Sequence, residues 1–170
     1  QGCDVFFSPV STEAAAQIIA KADAQALGMP ILAGDTWDSN VILDAAKGTA
    51  VEVCVTTFYQ EGANAEFDSG IKAWMNSDAT ALANNGGNDE LAAVTAMGYD
   101  AYYMALAALQ AAGSTAPADV LSVLSGVSIT GVTGEIKFDD IGDAIRTSAF
   151  VKACNTETGK WDFVTVAKVG

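Results

Sequence analysis

Three short apolar runs constrain this chain more than any other feature. Val5-Phe6-Phe7, Pro30-Ile31-Leu32-Ala33 and Val51-Glu52-Val53-Cys54-Val55-Thr56-Thr57 are rich in strand formers. Between them lie two stretches with apolar residues at helical spacing, Ile18, Ile19 and Ala22 in the first and Val41, Ile42, Leu43 and Ala46 in the second. Ser11 or Thr12 is placed to cap the first helix and Ser39 the second, with Gly28 and Gly48 at their ends. Strand, helix, strand, helix, strand at this spacing leaves room for right-handed crossovers, and so predicts parallel pairing. The fold class is α/β, and residues 1–57 read as half of a doubly wound parallel sheet.

The middle of the chain reads as helical. Phe67, Ile71, Trp74 and Met75 fall at helical spacing between Asn64 and Ser77. Asn84-Asn85-Gly86-Gly87-Asn88 reads as a loop, after which Asn88 or Asp89 is expected to cap a long helix ended by Gly113. Pro117 stands at the start of another helix through Leu124. The last third is strand-like: Gly131-Val132-Thr133-Gly134 is a turn and Glu135-Ile136-Lys137-Phe138 a strand. Ser148–Cys154 and Trp161–Val169 are expected to form a terminal β-hairpin.

Composition then excludes function classes. The 170 residues suit one domain or two small lobes, and with 51% hydrophobic against 17% charged residues the chain is not disordered. A net charge of -13 repels phosphate backbones, so no nucleic-acid partner is expected. There is no histidine, which removes Ser-His-Asp and Cys-His catalysis and most zinc chemistry. Neither a catalytic residue, a metal nor a cofactor is expected. Cys3, Cys54 and Cys154 form no CxxC pair; one disulfide with one thiol over and three structural thiols both remain open. Residues 101–118 are uncharged but carry Tyr102, Tyr103, Gln110 and Pro117, which fits a buried helix and loop and not a membrane span. The chain opens at Gln1-Gly2-Cys3, without Met, and is expected to be part of something longer.

In an open parallel sheet, ligands bind outside the carboxyl ends of the strands. Those ends carry Ser8-Pro9-Val10-Ser11-Thr12, Gly34-Asp35-Thr36-Trp37 and Thr57-Phe58-Tyr59. Asp35 is a candidate acceptor for an ammonium group, Ser11 and Thr12 are candidate polar contacts at a helix start, and Trp37 and Tyr59 are candidate apolar walls. This set suits a zwitterion with an apolar side chain. Each residue also has a plainer reading: Asp35 as a turn former, the aromatics as core, and Ser11 and Thr12 as caps.

The runs Cys3-Asp4-Val5-Phe6-Phe7 with Ser11-Thr12-Glu13-Ala14, and Pro30-Ile31-Leu32-Ala33-Gly34-Asp35-Thr36-Trp37-Asp38-Ser39, resemble the periplasmic binding proteins for branched-chain amino acids. So do Ala96-Met97-Gly98-Tyr99-Asp100-Ala101, Ala112-Gly113-Ser114-Thr115 and Gly131-Val132-Thr133-Gly134-Glu135-Ile136-Lys137-Phe138-Asp139, in the family's order. The resemblance implies a type I periplasmic-binding-protein fold of two doubly wound parallel-sheet lobes that close on a ligand by hinge motion. It implies that this chain is the C-terminal portion only. Residues 1–57 would belong to the second lobe, 58–61 to a hinge crossing and 62–129 to the helical part of the first lobe. A second crossing would follow at 130–134, and second-lobe strands over 135–170. In the family an acid after the second strand accepts the ligand's ammonium, and Asp35 matches it. Val10 and Ser11 stand where an aromatic is common, and the groups that hold the ligand carboxylate belong to the other half.

The implied function is capture of an amino acid, branched-chain or otherwise apolar, for an ABC permease, in the periplasm or outside the cell and associated with its surface. A sensor domain of the same fold is the alternative. A less favoured one is a secreted hydrolase with Asp35 and Asp38 as paired carboxylates. Calcium at Asp139-Asp140-Asp143 or Asn84-Asn88-Asp89 lacks the ligand spacing of a regular loop. Helices between Phe67 and Leu124 would leave apolar surface uncovered in this chain alone, so the chain by itself is expected to dimerise or rearrange.

Overall fold

The computed structural model describes residues 2–168, so Gln1 and Val169, the expected end of the last strand, lie outside the described residues together with Gly170. The element order is β1 (Phe6–Ser8), α1 (Thr12–Ala24), β2 (Ile31–Ala33), α2 (Asn40–Ala46), β3 (Val53–Thr57), α3 (Ala65–Ser77) and α4 (Ala79–Asn84). Then follow α5 (Ala93–Ala112), α6 (Pro117–Leu124), β4 (Ser128–Gly131), β5 (Gly134–Lys137), β6 (Ser148–Asn155) and β7 (Lys160–Lys168). The chain divides into two compact units, one of residues 2–93 with Ser148–Lys168 and the other of Val94–Thr147.

The first unit is built on a five-stranded sheet of order β1-β2-β3-β6-β7. The first three strands are parallel and the last two form an antiparallel hairpin beside β3. Parallel pairing forces each connection to cross over the sheet, and α1 and α2 do so on one face. Their Ala15, Ile19, Ala22, Ile42 and Ala46 are buried together with the alternate strand residues Ile31, Ala33, Val53 and Val55. This alternation is why β3 reads buried, half-buried, buried along its length.

Helix ends follow local chemistry with two departures from the sequence expectation. Ser39 caps α2 by accepting from the Val41 N–H at 3.2 Å, and Asn64 caps α3 through the Phe67 N–H at 3.0 Å. The first departure is the end of α1. Ala26, at φ 49°, takes the left-handed position expected of Gly28, while the Leu27 N–H closes the end on the Ala22 carbonyl at 2.9 Å. The second is the start of the long helix, at Ala93, several residues past the expected caps Asn88 and Asp89. Its first N–H donates at 3.0 Å to Asp38 Oδ2, a residue 55 positions earlier in the chain.

In the second unit, Met104 and Ala108 of α5 pack with Val127 and Ile136. Strands β4 and β5 form a two-stranded antiparallel sheet, and the Gly131–Gly134 pair closes their hairpin. The segment 130–134, which the resemblance places at a hinge crossing, forms this turn, and the chain re-enters the first unit at Ser148. Asp100 on α5 is 1% exposed and accepts from the Val132 and Thr133 N–H groups, each at 2.8 Å, and from Thr133 Oγ1 at 2.6 Å. This clasp joins Asp100 of α5 to the Gly131-Val132-Thr133-Gly134 turn. Gly131 is required there, since a Cβ would fall 2.3 Å from the Asp100 carboxylate.

The acidic turns resolve as ordinary loop chemistry. Asp139 Oδ1 accepts from the Ile141 and Asp143 N–H groups. Asp89 accepts from Asn76 and lies 4.0 Å from Lys72. Among the described residues no group of three or more Cys, Asp or Glu is arranged to hold a metal ion.

Candidate functional site

Parallel pairing of β1 with β2 places their carboxyl ends side by side, and two hydrogen bonds tie the following loops together. Thr12 Oγ1 donates to the Thr36 carbonyl at 2.7 Å, and Trp37 Nε1 to the Val10 carbonyl at 2.9 Å. Ser11, Thr12 and Asp35 therefore stand on adjoining loops at one end of the sheet. Ser11 is the N-cap of α1 but its side chain makes no capping bond, and the residue is exposed. Ser8, at the end of β1, is 2% exposed and its Oγ has no hydrogen-bond partner among the described residues.

The loop after β2 is a single turn of 3-10 helix, Asp35–Trp37, closed by the Asp38 N–H on the Asp35 carbonyl at 3.0 Å. Its two acids are treated in opposite ways. Asp35 is half-buried, and its carboxylate has no hydrogen-bond or ion-pair partner among the described residues. Asp38 is 1% exposed and saturated: Lys152 Nζ reaches its two oxygens at 3.2 and 3.0 Å, and Thr57 Oγ1 donates at 2.9 Å beside the Ala93 N–H. A carboxylate so engaged cannot exchange a proton with a substrate. This corrects the hydrolase reading, which needs Asp38 as a partner of Asp35.

The remaining predicted residues are placed differently. Trp37 is 0% exposed within the core of the first unit, where its indole supports the loop from below. Tyr59 is 1% exposed; its ring meets Phe67 edge-on at 5.5 Å and its hydroxyl donates to Asp68 Oδ1 at 2.6 Å. Burial, followed by the bond to Asp68 and that carboxylate's charge, pushes the phenol's pKa well up. Asp68 also accepts from the Gly62 N–H at 2.7 Å, so Tyr59 belongs to a closed network. The structure thus brings Ser11, Thr12 and Asp35 together, and places both aromatics in packed surroundings.

Sequence reasoning missed Lys152. It was legible only as a lone cation within the apolar strand Ser148–Asn155, a pattern that calls for a buried acid opposite. All three cysteines are free thiols. Cys54 pairs in register with Ala153, so Cys154 points to the opposite face of the sheet and cannot reach it. Burial, then the charge of Asp162 and then Cys54, pushes the Cys154 thiol up to about 11, and burial ahead of Glu52 also raises Cys54.

Two cavities lie elsewhere on the first unit. One of about 380 Å³ is apolar and borders β1 and α1, lined by Phe6, Ile18 and Leu27. The other, about 340 Å³, is polar and includes the Lys72–Glu61 and Lys160–Glu90 ion pairs. For Lys72, burial pulls the pKa down, but the bond and charge of Glu61 outweigh it and the net direction is up.

A parallel-led α/β sheet with polar groups gathered at its strand tips has the architecture of a type I solute-binding protein lobe. The chain belongs to the periplasmic binding protein family, whose model matches residues 1–158. The members of this family are solute-binding proteins and not enzymes.

Among solved structures, a leucine binding protein from Thermotoga maritima is 26% identical, with a TM-score of 0.76 over 97% of this chain and 45% of its own. The branched-chain amino acid transporter substrate binding protein of Streptococcus pneumoniae, in complex with isoleucine, is 16% identical, with a TM-score of 0.71 over 99% of this chain and 46% of its own. A solute binding protein from R. palustris in complex with benzoate is also 16% identical, with a TM-score of 0.68 over 97% and 43%. The chain thus spans less than half the length of each. No curated protein matches it. Among the described residues no helix is long and apolar enough to cross a membrane.

Proposed function

We propose that this chain is the C-terminal portion of an extracytoplasmic binding protein that captures an apolar amino acid for an ABC permease. The reading is carried by one observation. Of the two acids in the strand-tip loop, Asp38 is consumed by structure and Asp35 is spare, half-buried and beside an uncapped helix start. A partly desolvated carboxylate without a partner is suited to an ammonium ion, because charge-assisted hydrogen bonds strengthen as water is excluded. The Ser11 hydroxyl and the first N–H groups of α1 supply polar contacts, with Thr12 holding the loops in register. Trp37 acts from below as a rigid support for the loop. Tyr59 contributes to the site through the packed segment after β3, and the second wall comes from closure of the other lobe.

Fold alone does not choose the ligand, since structures of this fold hold isoleucine in one case and benzoate in another. The acid does. Benzoate has no ammonium, and a free carboxylate at the strand tips repels it. Titration calorimetry of the longer protein with L-leucine, L-isoleucine, L-valine and benzoate is expected to show binding of the amino acids. Asp35→Ala should weaken binding by about 2–5 kcal/mol, the cost of removing one partner of a buried charged pair. Undiminished affinity in that variant, or preference for benzoate, would remove Asp35 from the site.

The chain by itself is expected to associate. Tyr99, Tyr102, Tyr103, Leu106 and Leu109 form one stripe of α5, each 37–66% exposed, opposite the buried Ala96, Asp100, Met104 and Ala108. A helix apolar on both faces is a buried helix. Light scattering should give about twice the 17.4 kDa of one chain; a monomer at millimolar concentration would contradict this.

A further inference from the structure

Lys152 is a fully buried lysine in a protein with eight cations in all. A buried ion pair seldom stabilises a fold more than a well-packed apolar pair of the same volume would, so stability is a weak reason for it. Direction is a better one. Apolar contact has no preferred orientation, whereas Asp38 receives donors from three separate elements: Thr57 at the end of β3, Lys152 on β6 and Ala93 at the start of α5. Those bonds leave its carboxylate a single arrangement. The backbone of Asp38 in turn closes the 3-10 turn on the Asp35 carbonyl, and Trp37 is locked beside it by its bond to Val10.

We infer that Asp38 and Lys152 are positioning residues, which hold the Asp35 turn in the conformation that presents its free carboxylate. The same carboxylate ties that turn to Ala93, the residue at which the chain leaves the first unit. This rests on the reading of Asp35 as the ligand's acceptor, and deepens it by naming what aims that acceptor.

The test uses amide exchange on the 170-residue chain, which needs no ligand. Asp38→Leu combined with Lys152→Met removes both buried charges, and with them the acceptor that Thr57 Oγ1 and the Ala93 N–H share, at nearly the same shape. The double variant should stay folded, with a lowered melting temperature, and keep protection in β3. The amides of residues 37, 38 and 93 should exchange at least about tenfold faster, because their anchor is lost. Wild-type exchange at residues 37 and 38 in the folded double variant would overturn the inference. If that variant does not fold, Thr57→Val removes one donor and keeps the strand. It should speed exchange at residue 38 several-fold while lowering the melting temperature by only a few degrees, and no local change would overturn the inference equally.

The functional half is read separately, as a tenfold or greater loss of L-leucine affinity when the double variant is placed in the longer protein. Faster exchange with unchanged affinity would overturn that half. Failure of the Asp35 reading is distinguishable, since Asp35→Ala would then leave affinity intact while the exchange results still decide what anchors the loop.

Discussion

Each unit contains one aspartate that is 1% exposed, and the two are stabilised by different means. Asp38 in the first unit is paired with a lysine and joins segments that are 19, 55 and 114 residues away in sequence. Asp100 in the second is satisfied by a single tight turn, through two backbone N–H groups and one hydroxyl. Both solutions satisfy a buried charge, but they specify different things. A turn's N–H groups define the local shape of a hairpin. A lysine on one strand and a hydroxyl on the next fix how a loop sits on a whole sheet. The first unit therefore depends on long-range agreement, and the second on one close approach at Gly131.

The largest effect expected from breaking this contrast is Lys152→Met alone. It leaves the Asp38 carboxylate buried without its cation, and denaturant unfolding should show a loss of about 3–5 kcal/mol. A loss below about 1 kcal/mol would mean that the neighbouring donors suffice. Next is Gly131→Ala. The added methyl meets a carboxylate pinned by three bonds, and overpacking of this kind costs about 1–3 kcal/mol. Combining it with Asp100→Ala removes the clash, so the two changes should cost less together than their sum. Additive losses would show that the clasp is not what constrains the glycine.

The smallest effect is on pH dependence. Cys154 ionises in the folded chain at about 11 against an ordinary 9.0, raised by burial first and then by Asp162 and Cys54. Between these values the unfolded chain releases a proton that the folded chain keeps. The stabilising contribution is complete below pH 9 and lost as pH rises through 11. Unfolding midpoints should fall between pH 8.5 and 10.5, and Cys154→Ala should flatten the slope. The exposed Cys3 should be alkylated well before the half-buried Cys154 at pH 8, and equal rates would contradict this difference in placement.

Much of the fold was legible because local patterns and the tertiary structure agree. The runs at Phe6, Ile31 and Val53 are parallel neighbours, as their spacing required, and Ser39, Asn64 and Pro117 begin helices where their chemistry favours it. The hairpin at residues 148–168 and the turn at 131–134 were equally readable from strand formers flanking turn residues. The short helix α4 lies between the expected helix ending at Ser77 and the expected loop at residues 84–88, too short for a periodic pattern, and β4 was concealed by its closeness to the turn.

The candidate site was only half legible. Asp35, Ser11 and Thr12 fall at strand tips by topology alone. Whether Trp37 and Tyr59 line a surface or lie within the packing depends on which side of a loop they leave from, and no periodicity records that.

The sequence by itself therefore determined the order of elements, the parallel pairing of the first three strands and the end of the sheet at which polar groups collect. These follow from side-chain alternation and crossover length, which act over a few residues. Only the tertiary structure decided which of two acids three residues apart is spent and which is spare. Ionic pairing between Asp38 and Lys152 acts across 114 positions of chain and is set by where a distant strand lands, a quantity that no local pattern encodes.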